Sequence, residues 1–140
     1  MVVGVDGSEG SRTALRWAFD FSVASGAPLQ AVAVWGHPRI GDGYGWVGPG
    51  PGLWQPEGEM KALLETTVED VLGSQSGAPV QRRVVEGTAT RVLVEASRGA
   101  SALVVGSRGH GGFAGLLLGS VSSACAAHGH CPVVVVHPAR

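Results

Sequence analysis

The stretch SALVVGSRGHGGFAGLLLGSVS, residues 101–122, decides the fold. Ala102–Val105 is an apolar run of the length of one buried strand. Glycines follow at once, at Gly106, Gly109, Gly111, Gly112 and Gly115, and Gly119-Ser120 opens a helix-like segment. A Gly-rich turn between a strand and a helix sets bare backbone N–H groups where they can surround a phosphate.

The same strand-then-helix order extends outward in both directions. Short apolar runs at Val2–Val5, Leu29–Val34, Val80–Val85, Ala102–Val105 and Val133–Val136 read as strands. The first, fourth and fifth are nearly continuous Val and Leu, the pattern of parallel strands covered on both faces. Helices are expected between them. Ser8–Ala24 starts at a capping Ser and stops before Gly26, with Leu15, Ala18, Phe19 and Ser22 at helical spacing. Met60–Leu72 carries an i, i+3, i+4 stripe through Leu64, Thr67 and Val68. Ala89–Ser97, with Thr88 as candidate cap, and Val121–Ala127 complete the set. Alternation of this kind means a parallel sheet with right-handed crossovers. The expected fold is α/β: a single-domain, doubly wound, five-stranded parallel sheet with four helices, spanning residues 1–140. Ligands of such sheets lie beyond the carboxyl ends of the strands, where the strand order reverses. The turns after Val5 and after Val105 both fall at carboxyl ends. The last strand, Val133–Val136, is expected at a sheet edge, where an uncharged Val surface needs a cover.

Bulk properties narrow the function. Net charge is −1, the only lysine is Lys61, and no basic stripe is visible, so nucleic acid is not an expected partner. No apolar run reaches the ~18 residues of a membrane span. MVVGVDGS reads as a buried strand rather than a leader, so a cytoplasmic protein is expected. Cys125 and Cys131 read as reduced thiols, with a redox or metal role as the minor reading. His128, Gly129, His130 and Cys131 form a string that suggests zinc, but no second ligand cluster accompanies it; the plainer reading is a polar helix end. Trp17 and Trp35 read as packing residues.

Residues 36–58 break the regularity, with eight of the 23 glycines, four of the eight prolines, and Trp46 and Trp54. Two readings stand: a tolerated surface insertion inside one α/β unit, or a lid over a ligand or partner.

Asp6 ends the first strand. It can accept a hydrogen bond from a ribose hydroxyl or adenine amino group, or approach a metal ion; equally, it can bond its own backbone and cap the helix from Ser8. In the 106–122 segment, the N–H groups of a helix opening at Gly119 and the hydroxyls of Ser120 and Ser122 favour phosphate, and Arg108 and His110 add positive charge. Competing motifs fail: there is no GxxxxGK[ST], no GxGxxG after the first strand and no GxSxG elbow.

The glycine spacing G-x2-G-x9-G-[ST], at Gly106, Gly109, Gly119 and Ser120, resembles the nucleotide-binding signature of the universal stress protein family, in its ATP-binding branch. VVGVDGSEGSRTALRWAFDFS and SALVVGSRGHGGFAGLLLGSVSSACAAHGHCPVVVVHP resemble the family's beginning and last third. One departure is Ala100-Ser101, where many members carry an Asp. The resemblance implies ATP, with Mg²⁺, as ligand. It implies that Gly4, Val5 and Asp6 face the adenosine and that Val34 contacts adenine through its backbone. Val105 and Gly106 would line base and ribose, Arg108 and Gly109 would lie near ribose and phosphates, and Gly119, Ser120, Val121 and Ser122 would hold the phosphates. It further implies a homodimer through Val133–Val136 and a regulatory role in stress response, read by an unidentified protein partner. With no general base or activated nucleophile beside the phosphate loop, rapid turnover is not expected. The alternatives are a slow Mg²⁺-dependent ATPase using Asp6 and His110, a module preferring AMP or cyclic AMP, and a vestigial motif in a dimer that binds no nucleotide.

Overall fold

A computed structural model describes residues 1–36, 56–73, 79–108 and 118–138. Five strands and four helices alternate: β1 (Val2–Gly4), α1 (Glu9–Ser25), β2 (Leu29–Trp35), α2 (Glu57–Leu72), β3 (Val80–Glu86), α3 (Ala89–Ala96), β4 (Leu103–Gly106), α4 (Ser120–His128) and β5 (Val133–Val136). All four strand pairings are parallel and the order is β3-β2-β1-β4-β5. The chain winds outward from β1 to β3, then crosses to the other side of β1 for β4 and β5. The order therefore reverses between β1 and β4, which is where such sheets open a crevice.

Strand parity sorts the two faces. Val3, Val5, Ala31, Ala33 and Val104 point to one side and pack with α1 and α2 residues, among them Leu15, Phe19, Leu64 and Val68. Val2, Val32, Leu103 and Val105 point to the other and pack with Val92 and Leu93 of α3 and Cys125 of α4. The continuous Val runs exist because β1 and β4 are covered on both faces. β5 is half-buried along its length, as an edge strand must be.

The helix ends follow local chemistry. Ser8 caps α1, its hydroxyl accepting from the Ser11 amide, and Gly26 closes α1 in the left-handed region at φ 75°. At α3 the expected cap fails: Thr88 occupies the position without a side-chain bond. α2 begins three residues earlier than its apolar stripe suggests, at Glu57, behind Pro56, with Glu57 and Glu59 in its first turn.

Two tryptophans part company. Trp35 packs on the core. Trp17, expected to do the same, stacks on Phe21 instead, rings 5.2 Å apart, on an exposed flank of α1. Trp46 and Trp54, with most of the 36–58 segment, lie outside the described residues. Among the described residues no helix is long and apolar enough to cross a membrane.

Candidate functional site

The turn from β1 into α1 is built by three short polar side chains. Asp6 Oδ1 accepts from the Ser8 amide at 2.9 Å and from the Ser8 hydroxyl, and the Asp6 amide donates to Ser11 Oγ at 3.2 Å. Gly7 makes the bend at φ 81°. Of the two readings of Asp6, the structure shows the one in which it bonds the local backbone and the capping serine. Its carboxylate shapes the turn, and it does so at the carboxyl end of β1, beside the reversal of strand order.

The opposite wall comes from the end of β4. Gly106 and Gly10 lie backbone against backbone: a Cβ on Gly106 would stand 2.5 Å from the Gly10 carbonyl carbon, and one on Gly10 would strike the carbonyl oxygen of Arg108. Ser107, 2% exposed, ties three elements together through its main chain. Its amide donates to Val136 O at 2.9 Å. Its carbonyl accepts from the Gly119 amide at 2.6 Å and from Ser122 Oγ at 3.0 Å. The ends of β4 and β5 and the start of α4 are therefore held as one unit.

Gly119 is the N-cap of α4 and has no side chain with which to close it. The first bond that returns within the helix is Ser123 N–H to Gly119 O. The amides of Ser120, Val121 and Ser122 thus have no intrahelical acceptor. Between the two walls, Ser8, Glu9 and Gly10 of the α1 start, Ser107 and Arg108 after β4, and Pro138 after β5 line an open concavity of about 210 Å³. That is below the roughly 300–1,000 Å³ of sites for drug-sized ligands.

The residues singled out from sequence that lie within the described residues fall into three groups. Gly4, Asp6, Gly106 and Arg108 stand at the carboxyl ends of β1 and β4. Val5 and Val105 are buried at 3% and 4% exposure, and Val34 is partly buried on the α3–α4 side, so the side chains of these three belong mainly to the core. Gly119, Ser120, Val121 and Ser122 form the start of α4, with one revision: the Ser122 hydroxyl is buried and donated to main-chain carbonyls, those of Ser107 and Gly119, so this residue presents an amide rather than a hydroxyl. Gly109 and His110, with Gly111, Gly112 and Gly115, lie outside the described residues. Sequence reasoning missed Ser8, Glu9, Gly10, Ser107 and Pro138 as lining residues. Gly10 carried a signal: glycine in the first turn of a helix, at a cost of about 1 kcal/mol against alanine, implies a close approach.

The His128–Cys131 turn is fastened by main chain, with the His130 amide donating to Ser97 Oγ at 2.8 Å. Burial pushes the Cys125 thiol up to about 11 and raises that of Cys131. Among the described residues no three His, Cys, Asp or Glu side chains are grouped to hold a metal ion.

Comparison with known proteins decides the kinship. The model of the universal stress protein family matches residues 1–137. The chain belongs to that family. A universal stress protein of Mycolicibacterium smegmatis is 39% identical over 142 residues, covering 99% of this chain and 45% of that one. One of Mycobacterium tuberculosis is 33% identical over 144 residues, covering 98% and 47%. The chain thus spans about half the length of these relatives. Among solved structures, a universal stress protein in complex with cAMP superposes with a TM-score of 0.70 at 30% identity, covering 97% of this chain and 94% of that one. An Arabidopsis thaliana family protein with AMP bound gives 0.63 at 19% identity, covering 99% and 91%. The Archaeoglobus fulgidus protein in complex with dAMP gives 0.60 at 20%, covering 96% and 94%. The last two attest the fold.

Proposed function

We propose that this universal stress protein binds an adenine nucleotide, ATP with Mg²⁺, across the carboxyl ends of β1 and β4, and acts as a regulatory module in stress response rather than as a fast enzyme. One observation carries the reading: a helix, α4, that opens on a glycine with three amides lacking intrahelical acceptors, beside the reversal of strand order. Those amides and the positive end of the helix dipole suit a phosphate. Arg108 adds charge from the concavity. The bare Gly106 and the main chain of Val5, Val34 and Val105 leave room for base and ribose, with Asp6 at their side. Gly109 belongs to the proposed phosphate loop by its spacing.

The donor set fits the nucleotide better than it fits a metal cage. Asp6 Oδ1 already accepts from Ser8, and Glu9 is a single neighbouring carboxylate. A Mg²⁺ ion here would be held chiefly by phosphate oxygens and water, with one carboxylate at most. When bound, it would neutralise phosphate charge.

A monophosphate preference is the second reading. The cAMP complex of the 30% identical structure favours it. In either case the state of the site is passed on through a homodimer paired along β5 and read by another protein in the cytoplasm. The chemistry of the two sheet edges supports β5. β3 carries Gln81, Arg82 and Arg83, with Arg82 paired to Glu65 at 3.2 Å, and charge protects an edge. β5 is four valines.

Titration calorimetry of nucleotide-stripped protein with Mg-ATP, AMP, cAMP and adenosine tests the reading, alongside Ser120→Pro. Proline suits the first position of a helix and removes one of the three amides; Gly119, at φ −70° and ψ 169°, already has the backbone that precedes proline. Saturable binding of one nucleotide per chain is expected. It should weaken about tenfold in Ser120→Pro for phosphorylated ligands, the equivalent of one charge-assisted hydrogen bond, and stay unchanged for adenosine. No binding by the wild type overturns the proposal.

A further inference from the structure

We infer that Trp17 and Phe21 form the second half of a self-association surface, in which the α1 flanks of two copies meet above their paired β5 strands; this rests on the β5 dimer proposed above.

A four-residue strand spans only about 13 Å. Pairing it with its own copy hides roughly a few hundred Å², well short of the about 1,200 Å² at which stable interfaces begin. A dimer built on β5 therefore needs apolar surface next to the strand. On the α1 side of the sheet, Val134 and Val136 of β5 pack into the same core as α1, and α1 lies over β4 with β1 and β5 on either side of it. One flank of α1 is committed to α2 through Arg12 and Asp70, 3.5 Å apart. Phe21, nine residues on, is half a turn round the helix from Arg12, so it and Trp17 occupy the flank turned away from α2, toward β5. Trp17 is 37% and Phe21 47% exposed. They are stacked at an interplanar angle of 13°, which fixes both rings before any partner arrives. Two copies contribute roughly 350 Å² more apolar surface from these side chains, which about doubles what the strands hide and leaves the remainder to the polar rim around them.

The symmetry agrees with the placement. Antiparallel pairing of β5 with its copy puts a twofold axis normal to the sheet, and such an axis keeps each face on its own side. The two α1 helices then lie on one face, above strands three spacings apart, or about 14 Å. Helices in ordinary contact are about 8–10 Å apart. The surplus is too wide for small side chains and is the size that large aromatic ones fill. Trp17 is also the midpoint of α1, which runs from Glu9 to Ser25, and lies about two turns below Gly10, the residue that abuts Gly106 at the end of β4.

The test is sedimentation velocity of the full chain over a wide concentration range, for wild type and for Trp17→Gln/Phe21→Gln. Both positions are partly exposed on the helix, and retention of the fold in the variant is checked by the far-UV spectrum and by thermal melting at a concentration where the wild type is monomeric. The expected result is a wild-type dimer whose dissociation constant rises about 30-fold or more in the variant, the loss typical of truncating central aromatic residues. A wild type that stays monomeric removes the β5 reading and this inference with it. A wild-type dimer that the double substitution leaves unchanged overturns this inference alone and leaves the strand pairing standing.

Discussion

Replacing Gly106 with alanine tests the interlock that builds the crevice. The added Cβ would lie 2.5 Å from the Gly10 carbonyl carbon, 2.6 Å from its oxygen and 3.0 Å from its Cα. Ordinary carbon contacts begin near about 3.5 Å, so α1 and the end of β4 must separate by about 1 Å. Both obstructing parts are main chain: a helix on one side and a strand paired to β5 on the other, and neither can swing aside as a side chain would. Overpacking of this kind costs typically about 1–3 kcal/mol. The loss of unfolded-state freedom on going from glycine to alanine returns about 0.4–1 kcal/mol. Because the obstruction is rigid, the upper part of the range applies and the net loss is about 2 kcal/mol. For a domain of this size that lowers Tm by about 6 °C, read by circular dichroism in a reversible melt and cross-checked by urea titration at unchanged m. An alanine variant that melts within 1 °C of the wild type would show that the two backbones are not in contact, and the account of the crevice wall would fall.

Two further outcomes follow from buried groups. The Ser22 hydroxyl is fully buried in α1 without a hydrogen-bond partner, so Ser22→Ala should stabilise the protein by about 1 kcal/mol, seen as a higher urea midpoint; a loss of similar size would mean the hydroxyl is satisfied. The buried Cys125 thiol is pushed from 9.0 up to about 11. Its folded value lies above its unfolded one, so the folded chain holds the proton more tightly. The resulting stability is fully present below about pH 9 and is lost as pH rises through 11. Wild type should therefore lose more stability than Cys125→Ala between pH 8.5 and 11, on the order of 2 kcal/mol more, and parallel pH profiles would refute the assignment.

The architecture was legible because its signals are local. Val runs in β1 and β4 announced strands covered on both faces, and Ser8 and Gly26 marked the ends of α1. The start of α2 was hidden because Gly58 interrupts the helical signal that Pro56 and two glutamates in fact begin. Of the candidate site, the start of α4 could be read from Gly119-Ser120. A glycine at position 10 signalled some close approach, but that its partner is Gly106 could not be read: the contact joins positions far apart in sequence through atoms every residue shares. The direction of the Ser122 hydroxyl was equally hidden, because a serine in the first turn of a helix can point to a ligand or to a neighbouring carbonyl, and the waiting Ser107 oxygen decided between them. Ser107 itself works through its amide and carbonyl, which no side-chain pattern reveals.

The unequal edges of the sheet bear on growth. A sheet with two adhesive edges can add subunits at both ends and lengthen without limit. Here one edge carries Arg82 and Arg83 and the other carries four valines. An association through the valine edge about a twofold axis consumes both adhesive edges in a single encounter and turns two arginine-bearing edges outward. Chain propagation therefore has nowhere to continue, and the same difference in side chains that permits pairing also terminates it.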